Sequence, residues 1–526
     1  MIENQTSGLH WLLIAVWLLI PLFCGFLDLD QQRLIAHDEG LYATRAREML
    51  MQQDWIHPWA IPHHKTPGSY WILAGMFQLF GINEITARFP SILASVACGV
   101  LVYEIAKDLL STRIALWSVF TLSTSFLWVQ YGRFATPDIV FIALFLAGLL
   151  CLLRAEKSQR YGDHLRFIAG MSWGLACLVR SFLLMLPMAG LMPYLLVENR
   201  RHRHLYNPWL YVGMGVGLLP TLLWLWACWQ RYGAQIFQAV MDFPVRKATR
   251  GGDRFLSGIV FYLTSLGMNS FPWGLFTLMG WGGLLKRPAN RQQIWLLGVY
   301  PLVIFGLLSL SSTHLHHYAL VIYPFLAMLA GIAMDGICES ASRWSRRGAI
   351  AIALFLGLLG IILVMASGFL YSPLSQQNES LQSARLYVPI ALTLGIAWVI
   401  TTALKLTSVN WTQWLLGLLL ANWLTLMVAG FSGVLGNGDL SLKAFLLEPE
   451  VQTVLDQHVI NFTPLQGKLS VLIRFYTPRY GSRLSSVSEL PTSGYAWVWE
   501  DNLGDIAVPY TLVGNFKQVF LIKLGS

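Results

Sequence analysis

DIVFIALFLAGLLCLLR, residues 138–154, decides the fold. A carboxylate opens it, an arginine closes it, and every residue between is apolar or small. With its flanks it approaches the run of about 20 residues that a helix needs to cross a bilayer. Comparable runs recur along the chain, and thirteen can be drawn. They centre near residues 18, 95, 122, 146, 172, 190, 218, 272, 303, 327, 359, 397 and 421. The fifth and sixth are short and separated by Arg180, so they need not each complete a crossing. The expected class is an all-α polytopic membrane protein with about 13 transmembrane helices.

Composition agrees. Of the 526 residues 55% are hydrophobic and only 12% charged, where a soluble domain carries about 25% charged residues. The net charge of +9 is spread rather than gathered. Arg113, Arg154, Lys157, Arg200, Arg201, Arg203, Arg291, Arg346 and Arg347 occupy short gaps that fall on one side if the spans alternate. That is the cytoplasmic bias of basic residues, and it excludes a nucleic-acid partner. Thirteen spans then leave the C-terminus outside. The run Leu9 to Leu27 has neither a basic leader nor a small-residue cleavage site and reads as a retained anchor. The six cysteines, at 24, 98, 151, 177, 228 and 338, lie in or beside apolar runs and read as packing residues.

Two segments depart from this pattern. Beyond residue 437 the composition turns polar, and Leu469–Phe475, Tyr495–Trp499 and Gln518–Ile522 look like strands. We expect a membrane domain over 1–436 and a small soluble α/β domain over 437–526. The other segment, 28–83, is the first outer loop and keeps Arg33, Arg45, Arg47 and Lys65 on the face where basic residues are scarce. An anionic ligand explains them. Tyr42, Ala46, Met49 and Leu50 recur at helical spacing while Arg45, Glu48 and Gln52 face away, as in a helix lying in the membrane interface. A second interfacial helix follows Pro67 through Trp71, Leu73, Phe77 and Phe80.

Each candidate site residue carries two readings. Asp38 and Glu39 suit the start of a helix, as cap and as dipole partner, or place a carboxylate for acid–base chemistry. Asp138 likewise caps its span or supplies a second outer-face carboxylate. Lys65, after His63 and His64, snorkels to lipid headgroups or holds a phosphate. The loop around Arg246, Lys247 and Arg250 is drawn to anionic lipid or clamps a phosphate. His314, His316, His317 and Tyr318, taken with His57, His63 and His64, are interfacial residues or share a metal.

The order of these motifs resembles a known family. Asp38-Glu39-Gly40-Leu41-Tyr42 runs into Arg45-Ala46-Arg47-Glu48, then come Lys65-Thr66-Pro67-Gly68, Arg88-Phe89-Pro90, Asp138, Arg180, Arg246 and His317-Tyr318. In this the chain is similar to the bacterial aminoarabinose transferases and, more broadly, to the protein-mannosyltransferase superfamily of C-type glycosyltransferases. The resemblance implies transfer of a sugar from a polyprenyl-phosphate donor to lipid A, another glycolipid, a glycan or a protein. The reaction would take place on the periplasmic face of a bacterial inner membrane. It puts the family's acids on Asp38, with Glu39 beside it, and on Asp138. The donor phosphate falls to Lys65, Arg246 and Tyr318, with Arg45 nearby. A divalent metal (Zn, Mg or Mn) would fall to His64 and His317, although the relatives carry Glu where this chain has His64. Leu41 replaces an arginine and Arg180 a lysine. A lipid-linked sugar flippase is the competing class, but it would place ionisable residues near the membrane midplane and show internal repeats.

Overall fold

The computed structural model describes residues 32–57, 65–241, 254–286, 290–339, 343–372, 379–407, 409–436 and 441–525. The first span near residue 18, Cys24, His63, His64 and the loop carrying Arg246, Lys247 and Arg250 lie outside these residues. The described chain forms two compact units. One takes 56–69 and 89–435, the other 28–55, 70–88 and 436–526, each within the described residues.

Among the described residues, nine helices are long and apolar enough to cross a membrane. They are Glu84–Leu109, Asp138–Lys157, Gly162–Val197, Pro208–Tyr232, Arg291–Leu310, His316–Cys338, Ser345–Leu370, Arg385–Thr407 and Trp411–Phe431. The runs centred at 172 and 190 form one helical stretch, interrupted at Ser181–Leu184 by a tighter 3-10 turn. Two other expected spans are broken. The run near 122 splits into Thr112–Ser123 and Phe126–Arg133. There the Thr124 and Ser125 hydroxyls donate back to the Phe120 and Thr121 carbonyls at 2.7 and 2.8 Å, which competes with helix continuation. The run near 272 splits into Arg254–Asn269 and Trp273–Lys286 at Pro272, which has no N–H to continue the ladder.

Small residues let the membrane helices touch. A Cβ on Gly170 would stand 2.0 Å from the Leu210 carbonyl oxygen, and one on Gly213 1.9 Å from that of Phe167. Backbones approach this closely only where neither side chain intervenes, which replaces the hydrophobic drive that lipid cannot supply. Elsewhere in this unit Trp117, Trp273, Trp398 and Trp414 fill one buried cluster.

The second unit holds a five-stranded sheet, ordered β2-β1-β3-β5-β4. Its strands are β1 Ile460–Phe462, β2 Tyr480–Arg483, β3 Gly494–Trp499, β4 Tyr510–Phe516 and β5 Val519–Leu524. β1 runs parallel to β2 and β3, while β5 is antiparallel to both β3 and β4. The expected strands at 495–499 and 518–522 are therefore β3 and β5. Leu469–Phe475, read as a strand, is instead part of the Gly467–Tyr476 helix. A short apolar run fits either period, and here Ser470, Leu472, Ile473 and Phe475 are buried as a helical face.

The Leu41–Gln52 helix is present, and of its expected polar face Gln52 is exposed and Arg45 half-buried, but Glu48 is buried. Arg47 and Glu48 are 4% and 3% exposed. Arg47 donates to the carbonyls of Phe475, Thr477 and Pro478, and Glu48 pairs with Arg483. Within this unit the helix is docked on protein through its charged residues, so it does not lie on lipid along that face. The Gly68–Phe80 helix is present as well; of its expected apolar face Leu73 and Phe77 are buried, Trp71 is half-buried and Phe80 is exposed.

Candidate active site

The first acidic pair sits on a turn of unusual geometry. Ala36–Gly40 is a π turn leading into the Leu41–Gln52 helix, and the Glu39 and Gly40 amides both donate to the Ile35 carbonyl at 2.8 and 2.9 Å. Such turns recur at functional sites because they swing one side chain out of register. Glu39, not Asp38, serves the turn's start: its carboxylate accepts the Ile35 N–H at 3.0 Å. The same carboxylate takes a two-pronged bond from Arg88, at 2.7 and 2.8 Å, with both side chains buried. Arg88 also donates to the Gln32 and Arg33 carbonyls at 3.2 and 3.3 Å. Glu39 is thus committed to holding the turn. Asp38 is half-buried, and among the described residues no hydrogen bond or ion pair engages its carboxylate.

The basic residues of this segment divide by role. Arg45 donates to the Tyr70 hydroxyl at 3.0 Å and leans on its ring, which itself packs against Tyr42. Arg47 closes the C-terminal end of the Gly467–Tyr476 helix, where a cation suits the carbonyl end of the dipole. Burial pulls its guanidinium below the usual arginine value, and the nearby Tyr480 and Glu48 act against that. The excess of positive charge in this segment therefore has a structural share that charge counting assigned to a ligand.

In the membrane unit, Asp138 is the first residue of its helix but caps nothing. It is buried and pairs with Arg180 at 2.8 Å. Arg180 ends the Gly162–Arg180 helix, and Ser181 follows at φ 54°, a conformation that costs roughly 1–3 kcal/mol for a non-glycine residue. Reciprocal bonds compensate: Thr66 N–H donates to Ser181 Oγ and Ser181 N–H to Thr66 Oγ1, each at 3.1 Å. The segment carrying Lys65 is thereby fastened to the turn carrying Arg180 and, through Arg180, to Asp138.

His317 and Tyr318 open a 3-10 turn, His316–Ile322. The His317 Nδ1 lies 3.1 Å from the Tyr131 hydroxyl, and its ring packs on both Tyr131 and Tyr318. His316 meets Ser265, and His57 meets Tyr232, at 2.8 and 2.9 Å. Among the described residues, no three His, Cys, Asp or Glu side chains stand together as a metal would need. Asp38, Glu39 and Arg45 belong to the second unit, and Lys65, Asp138, His317 and Tyr318 to the first. The sequence reading missed the parts played by Tyr70, Tyr131 and Tyr476 and the partnership of Arg88 with Glu39. Of these only Arg88 gave a signal, as a charge at the mouth of a span.

Fold and sequence together describe a mostly helical chain with nine candidate membrane spans among the described residues and a small C-terminal sheet. The model of the family described as dolichyl-phosphate-mannose-protein mannosyltransferase matches residues 64–226. The undecaprenyl phosphate-alpha-4-amino-4-deoxy-L-arabinose arabinosyl transferase of Edwardsiella ictaluri is 27% identical over 351 residues, 62% of this chain and 61% of that protein. Its counterpart in Aeromonas hydrophila is 26% identical over 440 residues, 75% of this chain and 73% of its own. The crystal structure of ArnT from Cupriavidus metallidurans bound to undecaprenyl phosphate superposes with a TM-score of 0.76 over 98% of both chains at 18% identity. The chain thus shares the fold of that structure, is similar in sequence to these transferases, and spans about three fifths of the Edwardsiella relative's length.

Proposed function

We propose that the protein is a glycosyltransferase that moves 4-amino-4-deoxy-L-arabinose from undecaprenyl phosphate to a phosphate of lipid A. Its relatives carry the donor in their names. The bilayer supplies both substrates. Thirteen spans would place the C-terminal region and the segment 28–83 on the periplasmic side of the inner membrane, with 1–436 as the catalytic membrane domain.

In this reaction the acceptor oxygen attacks the anomeric carbon, and the bond from that carbon to the carrier phosphate breaks. Negative charge builds on the departing phosphate, and preorganised cations stabilise it there. Lys65, Arg246 and Tyr318 are the groups we assign to that phosphate, with Arg180 beside Lys65. Asp38 takes any proton the acceptor oxygen carries, and Asp138, held by Arg180, orients rather than reacts. Arg45 lines the approach. A divalent metal would fall to His64, which lies outside the described residues, and to His317, whose Nδ1 lies 3.1 Å from the Tyr131 hydroxyl.

One observation carries the proposal: the turn bearing Asp38 is tied down at its neighbouring polar groups, while among the described residues nothing engages the Asp38 carboxylate. A positioned, unpaired carboxylate is what proton abstraction requires. The test is transfer of labelled aminoarabinose from the carrier to lipid A by purified protein in detergent. Transfer supports the enzyme. Carrier movement across sealed vesicles with no transfer in detergent would establish the flippase instead.

A further inference from the structure

The lead-in to the Asp38 turn has an anchor in the C-terminal region. The Leu34 N–H donates to the Tyr476 hydroxyl at 2.9 Å, across more than four hundred residues of sequence. The Glu84 carboxylate, which acts electrostatically on that hydroxyl, pairs with Lys443. Tyr476 is the last residue of the Gly467–Tyr476 helix, and this helix lies against the turn itself. A Cβ on Gly40 would stand 3.1 Å from Leu472 Cδ2, and the Thr44 hydroxyl donates to the Val471 carbonyl at 3.0 Å. The turn therefore touches this helix through a residue with no side chain, and the backbone entering it is fixed by a hydroxyl from the helix end.

We infer that Tyr476 is a positioning residue for Asp38, so that the C-terminal region forms part of the active-site scaffold. The backbone of residues 32–35, which leads into the turn, is held by Arg88, Glu39 and Tyr476 rather than by a helix or sheet. Arg88 and Glu39 come from the turn and the neighbouring helix. Tyr476 alone of the three comes from the C-terminal part of the chain. Releasing its bond frees the backbone four residues before Asp38, and misplacing a reacting group by about 1 Å costs on the order of a hundredfold in rate.

The inference rests on Asp38 acting as proposed above. Its test compares Tyr476→Phe with Tyr480→Phe in the full-length protein, using sugar transfer and thermal unfolding. Both variants lose one hydroxyl from the same region, but the Tyr480 hydroxyl donates to the Arg474 carbonyl and does not reach the turn. Tyr476→Phe should lower kcat about tenfold and leave the donor KM unchanged. Tyr480→Phe should lower the unfolding temperature comparably and leave kcat at wild type. Gly40→Ala, which presses Leu472 away from the turn, should repeat the kcat loss. Equal kcat in Tyr476→Phe and Tyr480→Phe, with Asp38→Asn inactive, overturns the positioning role alone. A fully active Asp38→Asn protein overturns both it and the reading beneath it.

Discussion

Asp38 and Asp138 are the same side chain, each set at the start of a helix, yet they are held differently. Asp138 is buried and spends its charge on Arg180. Asp38 is half-buried and unengaged, while its neighbour Glu39 takes the arginine that could have neutralised it. A carboxylate already paired with a guanidinium has its oxygens committed to that partner. One without a partner is free to meet a substrate. Placement alone made the two acids equivalent candidates; their partners distinguish them, and the proposed function makes Asp38 the reacting group and Asp138 the orienting one.

The largest effect that sharpens this contrast is on rate. Asp38→Asn should lower kcat by about 10²–10⁴-fold, the usual contribution of a general base, without changing the unfolding temperature. If lipid A attacks through a fully ionised phosphate, raising the pH should shrink that loss, and a pH series of transfer rates measures it.

Next comes the ion pair that reserves Glu39. Arg88→Ala leaves a buried carboxylate without its partner and should cost roughly 3–5 kcal/mol of stability. Thermal unfolding of the purified protein reads this directly. Arg180→Ala should cost less, about 2 kcal/mol, because Arg180 is more exposed than Arg88. It should also raise the donor KM, since the turn it ends is fastened to the Lys65 segment. Unchanged donor KM in that variant would detach Asp138 and Arg180 from the donor phosphate.

The smallest effect lies in the loop after Val197, far along the chain from both acids. Burial lowers His202 to about 4, and its Nδ1 accepts the His204 N–H at 3.1 Å. Burial lowers His204 as well, against the pull of Glu156. The unfolded chain takes up protons below about pH 6.5 that the folded chain refuses until about pH 4. Stability contributed by neutral His202 is therefore full above that window and falls as the pH drops through it, by roughly 2 kcal/mol. His202→Asn should flatten the dependence of unfolding temperature on pH.

Apolar run length made the membrane helices legible, and the charge gaps between them gave a consistent sidedness. The breaks at Thr124 and Pro272 were less visible, because a hydroxyl's choice of a backbone partner depends on the local turn. The Gly467–Tyr476 helix was misread for the reason that short apolar runs satisfy both periods. Site residues showed as charges in an apolar chain. Their partners did not. The bonds from Arg88 to Glu39 and from Tyr476 to Leu34 join residues far apart in sequence, and such pairing has no periodicity to betray it. Arg47 is the clearest case: its charge suggested a ligand, and its ligand is the end of a helix in the same protein.

The most direct test is a single-turnover measurement with donor saturating, comparing wild type, Asp38→Asn and Asp138→Asn. The account predicts that Asp38→Asn slows transfer by at least about 100-fold while binding the donor normally, and that Asp138→Asn changes donor binding more than the rate. A transfer rate for Asp38→Asn within about twofold of wild type, at equal donor occupancy, would contradict it.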